Sequence, residues 1–409
     1  MTHQAAVYRG LSRLVFDAGV GLTELVESMH RNISRGPGVF GAPDDRPTTG
    51  LKRLIYQSVK DAIRLTGGGV DAVLAQLGPL LGGEELSDAH EAILSALNGV
   101  VGDHLVATGN PLAIAMQLRV NGMPLRLERG ALAAEISKPS GRVAILVHGL
   151  CFNDLQWKRK GHDHGAALAH DLGYSPLYLH YNSGLHVSTN GRAFADKLDA
   201  LVRQWPVPIE ELTIIGHSMG GLVARSACYY GTLAAQGWRP RLRNLVFLGT
   251  PHHGAPLERG GQWVDFLIDK SPYTAPFTRL GRIRSAGITD LRHGNLVDQD
   301  WQGHDRFGHA DDTRQVVPLP VDVRCYAIAG AVDLSVGGAI IGDGLVPVSS
   351  ALGQHKEPRR DLSLPKSRQW IAPSIGHLEL LNRREVYEQI RTWLSQSQPA
   401  RLRDSRISG

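Results

Sequence analysis

Leu212-Thr-Ile-Ile-Gly-His-Ser-Met-Gly-Gly-Leu-Val-Ala-Arg225 is the stretch on which the fold is decided. It opens as an apolar run of the kind that forms a strand buried on both faces and closes on a helical pattern. Between the two, Gly216-His217-Ser218-Met219-Gly220 fits G-x-S-x-G. Small residues flank the serine because a strand-to-helix reversal is tight, and a β-carbon at either glycine would collide with neighbouring backbone. Such a turn lifts the hydroxyl out of the sheet to a helix N-terminus, whose amides favour negative charge. Ser218 is therefore the candidate nucleophile.

Working outward, strands alternate with helices on both sides of this turn. Val143-Val147 reads as a buried strand, followed by a helix near 166–170, a strand at 176–179 and a helix at 192–205. After the turn come a helix from about 221 to 235 and a strand at 245–248, then an irregular stretch. Strands at 323–329 and 369–372 and a helix at 384–394 close the series. Repeated β-α-β units imply an α/β class, with a mostly parallel sheet and helices on both faces. Residues 123–127 and 131–136, separated by Glu128-Arg129-Gly130, read as a hairpin at the start of this region.

The chain of 409 residues is long for one core. Residues 1–120 differ in character from 121–395. They show i, i+3, i+4 apolar spacing, with Asp88 and Glu91 placed as a helix cap and its partner, and Gly- and Pro-rich breaks between helices. They predict a helical module, and 396–409 a loose polar tail. A net charge of +5 with scattered Lys and Arg and no basic stripe excludes nucleic acid as the expected partner. The three cysteines suit neither a disulfide framework nor a zinc site; Cys228 and Cys325 read as buried, Cys151 as partly exposed. No secretory leader and no run of about 18 apolar residues is seen, so a cytoplasmic, soluble protein is expected.

A serine hydroxyl needs a general base, and the base an orienting carboxylate. Asp343, in Gly342-Asp-Gly344, and His377, in Gly376-His-Leu378, follow the serine in that order at the ends of later strands. Asp333 and His355 are the competitors. The developing oxyanion needs two backbone donors: Met219, directly after the serine, and Leu150 in the loop His148-Gly149-Leu150, with Cys151 second. His148 is expected to brace that loop. His217, Cys151 and His252 are candidates for lining the pocket, and a metal site at His252 and His253 lacks a third ligand.

Five ordered motifs, His148-Gly-Leu150, Gly216-Gly220, Leu248-Gly-Thr-Pro-His-His-Gly254, Gly342-Val346 and Gly376-Leu378, resemble those of bacterial triacylglycerol lipases and esterases over roughly 140–395. They are similar also to the lipase-like domain of GPI inositol-deacylases. The resemblance implies the α/β-hydrolase fold, with Ser218, Asp343 and His377 as triad and Leu150 and Met219 as oxyanion hole. It also implies a lid over 255–315, holding Trp263, Phe266, Tyr273, Phe277 and Trp301; an ordinary excursion packed on the core is the alternative. Secreted members of that group carry a calcium beside the triad histidine. Glu379 stands where one ligand would be, without identifiable companions.

The resulting expectation is a carboxylic-ester hydrolase working through an acyl-enzyme, with no cofactor and no metal. Its partner would be a small-molecule or lipid ester, with transient contact at a membrane or lipid interface. An acyltransferase uses the same triad and stays open, as do peptide hydrolysis and a non-catalytic binding protein on the same scaffold. Dehalogenase chemistry needs a carboxylate where Ser218 stands. Acyl length, alcohol moiety, oligomeric state and the role of the N-terminal helices are not legible.

Overall fold

In the computed structural model the described residues are 87–255, 285–303, 312–332 and 342–396. Most of the expected helical module, the aromatic stretch holding Trp263, Phe266, Tyr273 and Phe277, the competitor Asp333 and most of the tail lie outside them. The described residues fall into two compact units: 87–115 with 182–185 and 285–288, and 116–181, 186–255, 289–303, 312–332 and 342–396.

The larger unit is built on eight strands: β1 Gln117–Val120, β2 Met123–Pro124, β3 Arg142–Val147, β4 Ser175–His180, β5 Glu211–His217, β6 Leu242–Leu248, β7 Arg324–Ala331 and β8 Gln369–Pro373. Their order is β2-β1-β4-β3-β5-β6-β7-β8. β1 is antiparallel to both β2 and β4, and every other pair is parallel. With its flanking helices this is the α/β-hydrolase fold.

Composition explains the central strands. Val143–Val147 and all of β5 are buried, as a strand covered by helices on both faces requires. Burying each such Val, Leu or Ile side chain contributes about 1.5–3 kcal/mol. The parallel register sets Val147 beside Gly216, His217 beside Leu248, and Leu248 beside Ile328. The strands therefore end together at one edge of the sheet, where ligands bind in open α/β sheets.

In chain order the helices are α1 Ser87–Ala107, α2 Arg129–Glu135, α3 His164–Leu172, α4 Val187–Gln204, α5 Met219–Leu233, α6 Ala286–His293, α7 Val348–Ala351 and α8 Arg384–Ser395. α8 is amphipathic: Val386, Tyr387, Ile390, Trp393 and Leu394 are buried, and Trp393 stacks on Tyr326 of β7 with ring centroids 4.8 Å apart. α4 is capped from a distance. Asp290, fully buried, accepts from the Val187 amide at 2.8 Å and from His186 Nδ1 at 2.9 Å.

One expectation is overturned. The hairpin is not 123–127 with 131–136; it is β1 with β2, turning at Asn121-Gly122, both left-handed with φ of 51° and 77°. Residues 129–135 are a helix, which buries Leu132. Alanine and leucine favour helix, and Gly130 occupies its first turn instead of closing a hairpin.

In the smaller unit, α1 is pinned by Asn98. Its side chain donates to the Leu94 and Leu112 carbonyls at 2.9 and 2.8 Å and accepts from the Ile114 amide at 2.9 Å. Residues 182–185 and 285–288 join the helix through Asn182 Nδ2 to Gly102 O, 3.0 Å, and Ser285 Oγ to Gly99 O, 2.6 Å.

Candidate active site

Ser218 sits between β5 and α5 with φ 54° and ψ −125°. A non-glycine residue held there is strained by roughly 1–3 kcal/mol, which the surrounding structure must impose. Its amide donates to the Leu248 carbonyl at 2.9 Å. The flanking glycines show why the turn tolerates nothing larger. A β-carbon on Gly216 would lie 2.6 Å from Gly221 Cα, and one on Gly220 would lie 2.3 Å from the Val147 carbonyl oxygen. The absence of a side chain at Gly220 is what lets α5 start so close to the end of β3.

The loop leaving β3 passes directly over the serine: a β-carbon on Gly149 would stand 3.0 Å from Ser218 Cβ. His148 shapes that loop. Its Nδ1 lies 2.8 Å from the Gly149 carbonyl, which can only accept, so the proton is on Nδ1. Nε2 is then free to accept from the Tyr181 amide at 3.4 Å, while Tyr181 Oη donates to the His148 carbonyl at 2.9 Å and the two rings stack at 4.3 Å. Burial pulls the His148 pKa down to about 3, which keeps this tautomer neutral. Leu150 is buried next in line. Cys151 adopts φ 63° and is 7% exposed. It is therefore buried, not partly exposed as the sequence suggested, and burial pushes its thiol up to about 12.

Met219 is the first residue of α5. A helix offers its first N–H no acceptor of its own, so this amide is presented beside Ser218.

Asp343 and His377 meet in the loops after β7 and β8. His377 Nδ1 lies 2.7 Å from Asp343 Oδ2, and the His377 amide donates to the Asp343 carbonyl at 3.0 Å. Asp343 Oδ1 accepts from the Leu345 and Val346 amides at 3.0 and 2.8 Å. Both residues are 1% exposed. A carboxylate accepts only, so His377 carries its Nδ1 proton toward Asp343, leaving Nε2 as the basic nitrogen. Gly249, φ 57°, follows β6 directly beneath the pair: a β-carbon there would fall 2.9 Å from Asp343 Oδ2 and 3.1 Å from His377 Nδ1.

His217 braces His377 from below. Its Nε2 donates to the His377 carbonyl at 3.0 Å, and its ring lies 4.6 Å from the His377 ring and edge-on to Phe152 and Trp157. Burial, then the His377 charge, lowers its pKa well below the ordinary value. The sequence offered His217 as a pocket-lining candidate, and its contact with a residue 160 positions away was not legible.

The remaining candidates lie elsewhere. His252 is buried against Phe247 and Arg225. His355 serves its own loop, its amide donating to Asp361 and its Nδ1 accepting from the Glu357 amide. Trp301, counted with the lid, stacks on His186 at 3.7 Å and donates to Ser188 Oγ at 3.0 Å. Glu379 accepts from the Gly376 amide at 3.0 Å and faces Arg383. No cluster of three metal-ligating side chains forms among the described residues. No described helix is long and apolar enough to cross a membrane.

A family model described as a PGAP1-like alpha/beta domain matches residues 138–317. No curated protein matches the chain. Similar solved structures include the mature lipase BlEst2 of Bacillus licheniformis, 15% identical with a TM-score of 0.41, covering 70% of this chain and 98% of that one. A lipase-esterase related protein of Clostridium acetobutylicum is 13% identical with a TM-score of 0.36, covering 62% of this chain and 94% of its own. An esterase of Pyrococcus furiosus is 15% identical with a TM-score of 0.38, covering 63% of this chain and 82% of its own.

Proposed function

Starting from an α/β-hydrolase fold whose residues 138–317 match a PGAP1-like alpha/beta domain, we propose that the chain is a serine carboxylic-ester hydrolase. The observation that carries this reading is the buried 2.7 Å contact of His377 Nδ1 with Asp343 Oδ2, with the His377 ring 4.6 Å from that of His217, the neighbour in sequence of a serine held at φ 54° on its turn.

In the first half-reaction His377 Nε2 takes the Ser218 proton as Oγ attacks the ester carbonyl. Asp343 fixes the tautomer and stabilises the imidazolium. The Leu150 and Met219 amides receive the tetrahedral oxyanion; each such donor is worth about 10²–10³ in rate. His377 then gives its proton to the departing alkoxide, leaving the acyl group on Ser218. Water, deprotonated by His377, attacks the acyl carbonyl; the acid leaves and Ser218 regains its proton. No metal or cofactor enters these steps. The substrate is a small-molecule or lipid ester.

Hydrolysis of p-nitrophenyl esters from acetate to palmitate tests the proposal. Turnover is expected in the native chain and should vanish in a folded Ser218→Ala variant. Undiminished turnover in that variant would remove Ser218 from the mechanism.

A further inference from the structure

His377 is fixed from two directions. Its Nδ1 and its amide both bond to Asp343, at 2.7 and 3.0 Å. These two bonds make one unit of Asp343 and His377, and by themselves leave that unit free to shift as a whole relative to Ser218. A further bond, from His217 Nε2 to the His377 carbonyl at 3.0 Å, leads elsewhere. His217 is joined by its peptide bond to Ser218, so this contact ties His377 to the turn that carries the serine.

The same ring reaches the loop that leaves β3. A β-carbon on Gly149 would lie 3.3 Å from His217 Nδ1, and the ring stands edge-on to Phe152 and Trp157 with centroids 6.4 Å away. His217 thus lies between the His377 ring, 4.6 Å away, and the loop that holds Leu150. A carbonyl only accepts, so the His217 proton is on Nε2 and Nδ1 keeps its lone pair. That Nδ1 is buried with no hydrogen-bond partner among the described residues, and His217 is 1% exposed. Stranding a buried acceptor costs free energy. A phenylalanine would fill the same aromatic cluster without that cost, so packing alone does not account for an imidazole here; the Nε2 bond does. Burial, then the His377 charge, keeps His217 neutral against the pull of its own bond to the His377 carbonyl, and Arg159 and His148 act in the same direction as burial. The Nε2 donor therefore persists while His377 gains and loses a proton.

Resting on the ester hydrolysis proposed above, we propose that His217 is a positioning residue: through the His377 carbonyl it sets the reach of His377 Nε2 to the Ser218 hydroxyl. A displacement of about 1 Å at such a contact costs up to about 10²-fold in rate. The contacts that hold the substrate are untouched, so the loss falls on kcat and not on KM.

Three variants test this. His217→Phe keeps the ring's packing and removes the donor. His217→Asn places its amide nitrogen where Nδ1 stood and also loses the bond. His217→Gln carries an amide nitrogen to the position of Nε2 and restores it. On one p-nitrophenyl ester, kcat should fall about 10–10²-fold in the folded Phe and Asn variants at nearly constant KM, with His217→Gln within about threefold of the native chain. The downfield NMR signal of the His377 Nδ1 proton, assigned by its loss in His377→Ala, reads the same geometry without substrate. It should broaden in the Phe and Asn variants and sharpen again in His217→Gln. If His217→Phe does not fold, His217→Asn decides. A native chain that shows the signal and hydrolyses no ester would refute the ester reading, and the positioning role is then decided on the signal alone. Native kcat in the Phe or Asn variant, a loss carried by KM, a loss that His217→Gln does not recover, or an Nδ1 signal absent from the native chain or unchanged across the variants would overturn the proposal.

Discussion

Asp343 is held by more than its partner histidine. Two backbone amides occupy Oδ1, Oδ2 faces His377 Nδ1, and the Asp343 carbonyl receives the His377 amide. The carboxylate therefore keeps its position when His377 changes charge. Replacing it by asparagine preserves shape and reverses the hydrogen-bonding demand, favouring the wrong imidazole tautomer. Asp343→Asn should lower kcat by about 10⁴-fold with little change in thermal stability. A steady-state comparison on one p-nitrophenyl ester checks this, and a loss below tenfold would leave Asp343 without its orienting role. The expected residue types were legible because acyl transfer demands them, and their expected order because the fold sets it. The bond from His217 to the His377 carbonyl was not, since no spacing rule links positions brought together only by the sheet.

At the scale of elements, apolar runs and helical periodicity located the parallel core. β3, β5, β6, β7 and β8 lie where continuous Val, Ile, Leu and Ala runs predicted strands, and α4, α5 and α8 where the 3.6-residue pattern predicted helices. α4 begins five residues earlier than the pattern indicated, where Asp290 caps it from a distant part of the chain. The edge of the sheet was misread. Asn121-Gly122 is a strong signal for a two-residue hairpin turn. The strands it joins are short, and β2 is exposed, so neither carries the alternation that marks a half-buried strand. Alternating apolar residues in 131–136 imitated that signal in a segment that is largely helical.

At the scale of the whole molecule, the compact units are not contiguous in sequence. Contiguous stretches of sequence suggested a boundary near 120, whereas 182–185 and 285–288 belong with α1 through bonds such as Ser285 Oγ to Gly99 O. Such bonds leave no local trace in composition. Buried histidines have a consequence for the molecule as a whole. Burial lowers His148 to about 3 and His164 to about 4, from 6.5. The unfolded chain therefore takes up these protons first as pH falls. The stability they share is complete above about pH 6.5 and is lost progressively down to about pH 3–4, at up to about 1.4 kcal/mol per pH unit for each histidine. Urea unfolding at pH 7.5 and pH 5 should show the loss as a lower midpoint, and an unchanged midpoint would mean that these rings are not buried neutral. The proposed ester hydrolysis comes down to one atom, the Ser218 hydroxyl oxygen, which His377 would activate. Mass spectrometry of the chain after treatment with a fluorophosphonate reads that atom directly. One adduct is expected, on the peptide containing Ser218 and missing from Ser218→Ala; an unlabelled native chain, or an adduct on another residue, would contradict the assignment.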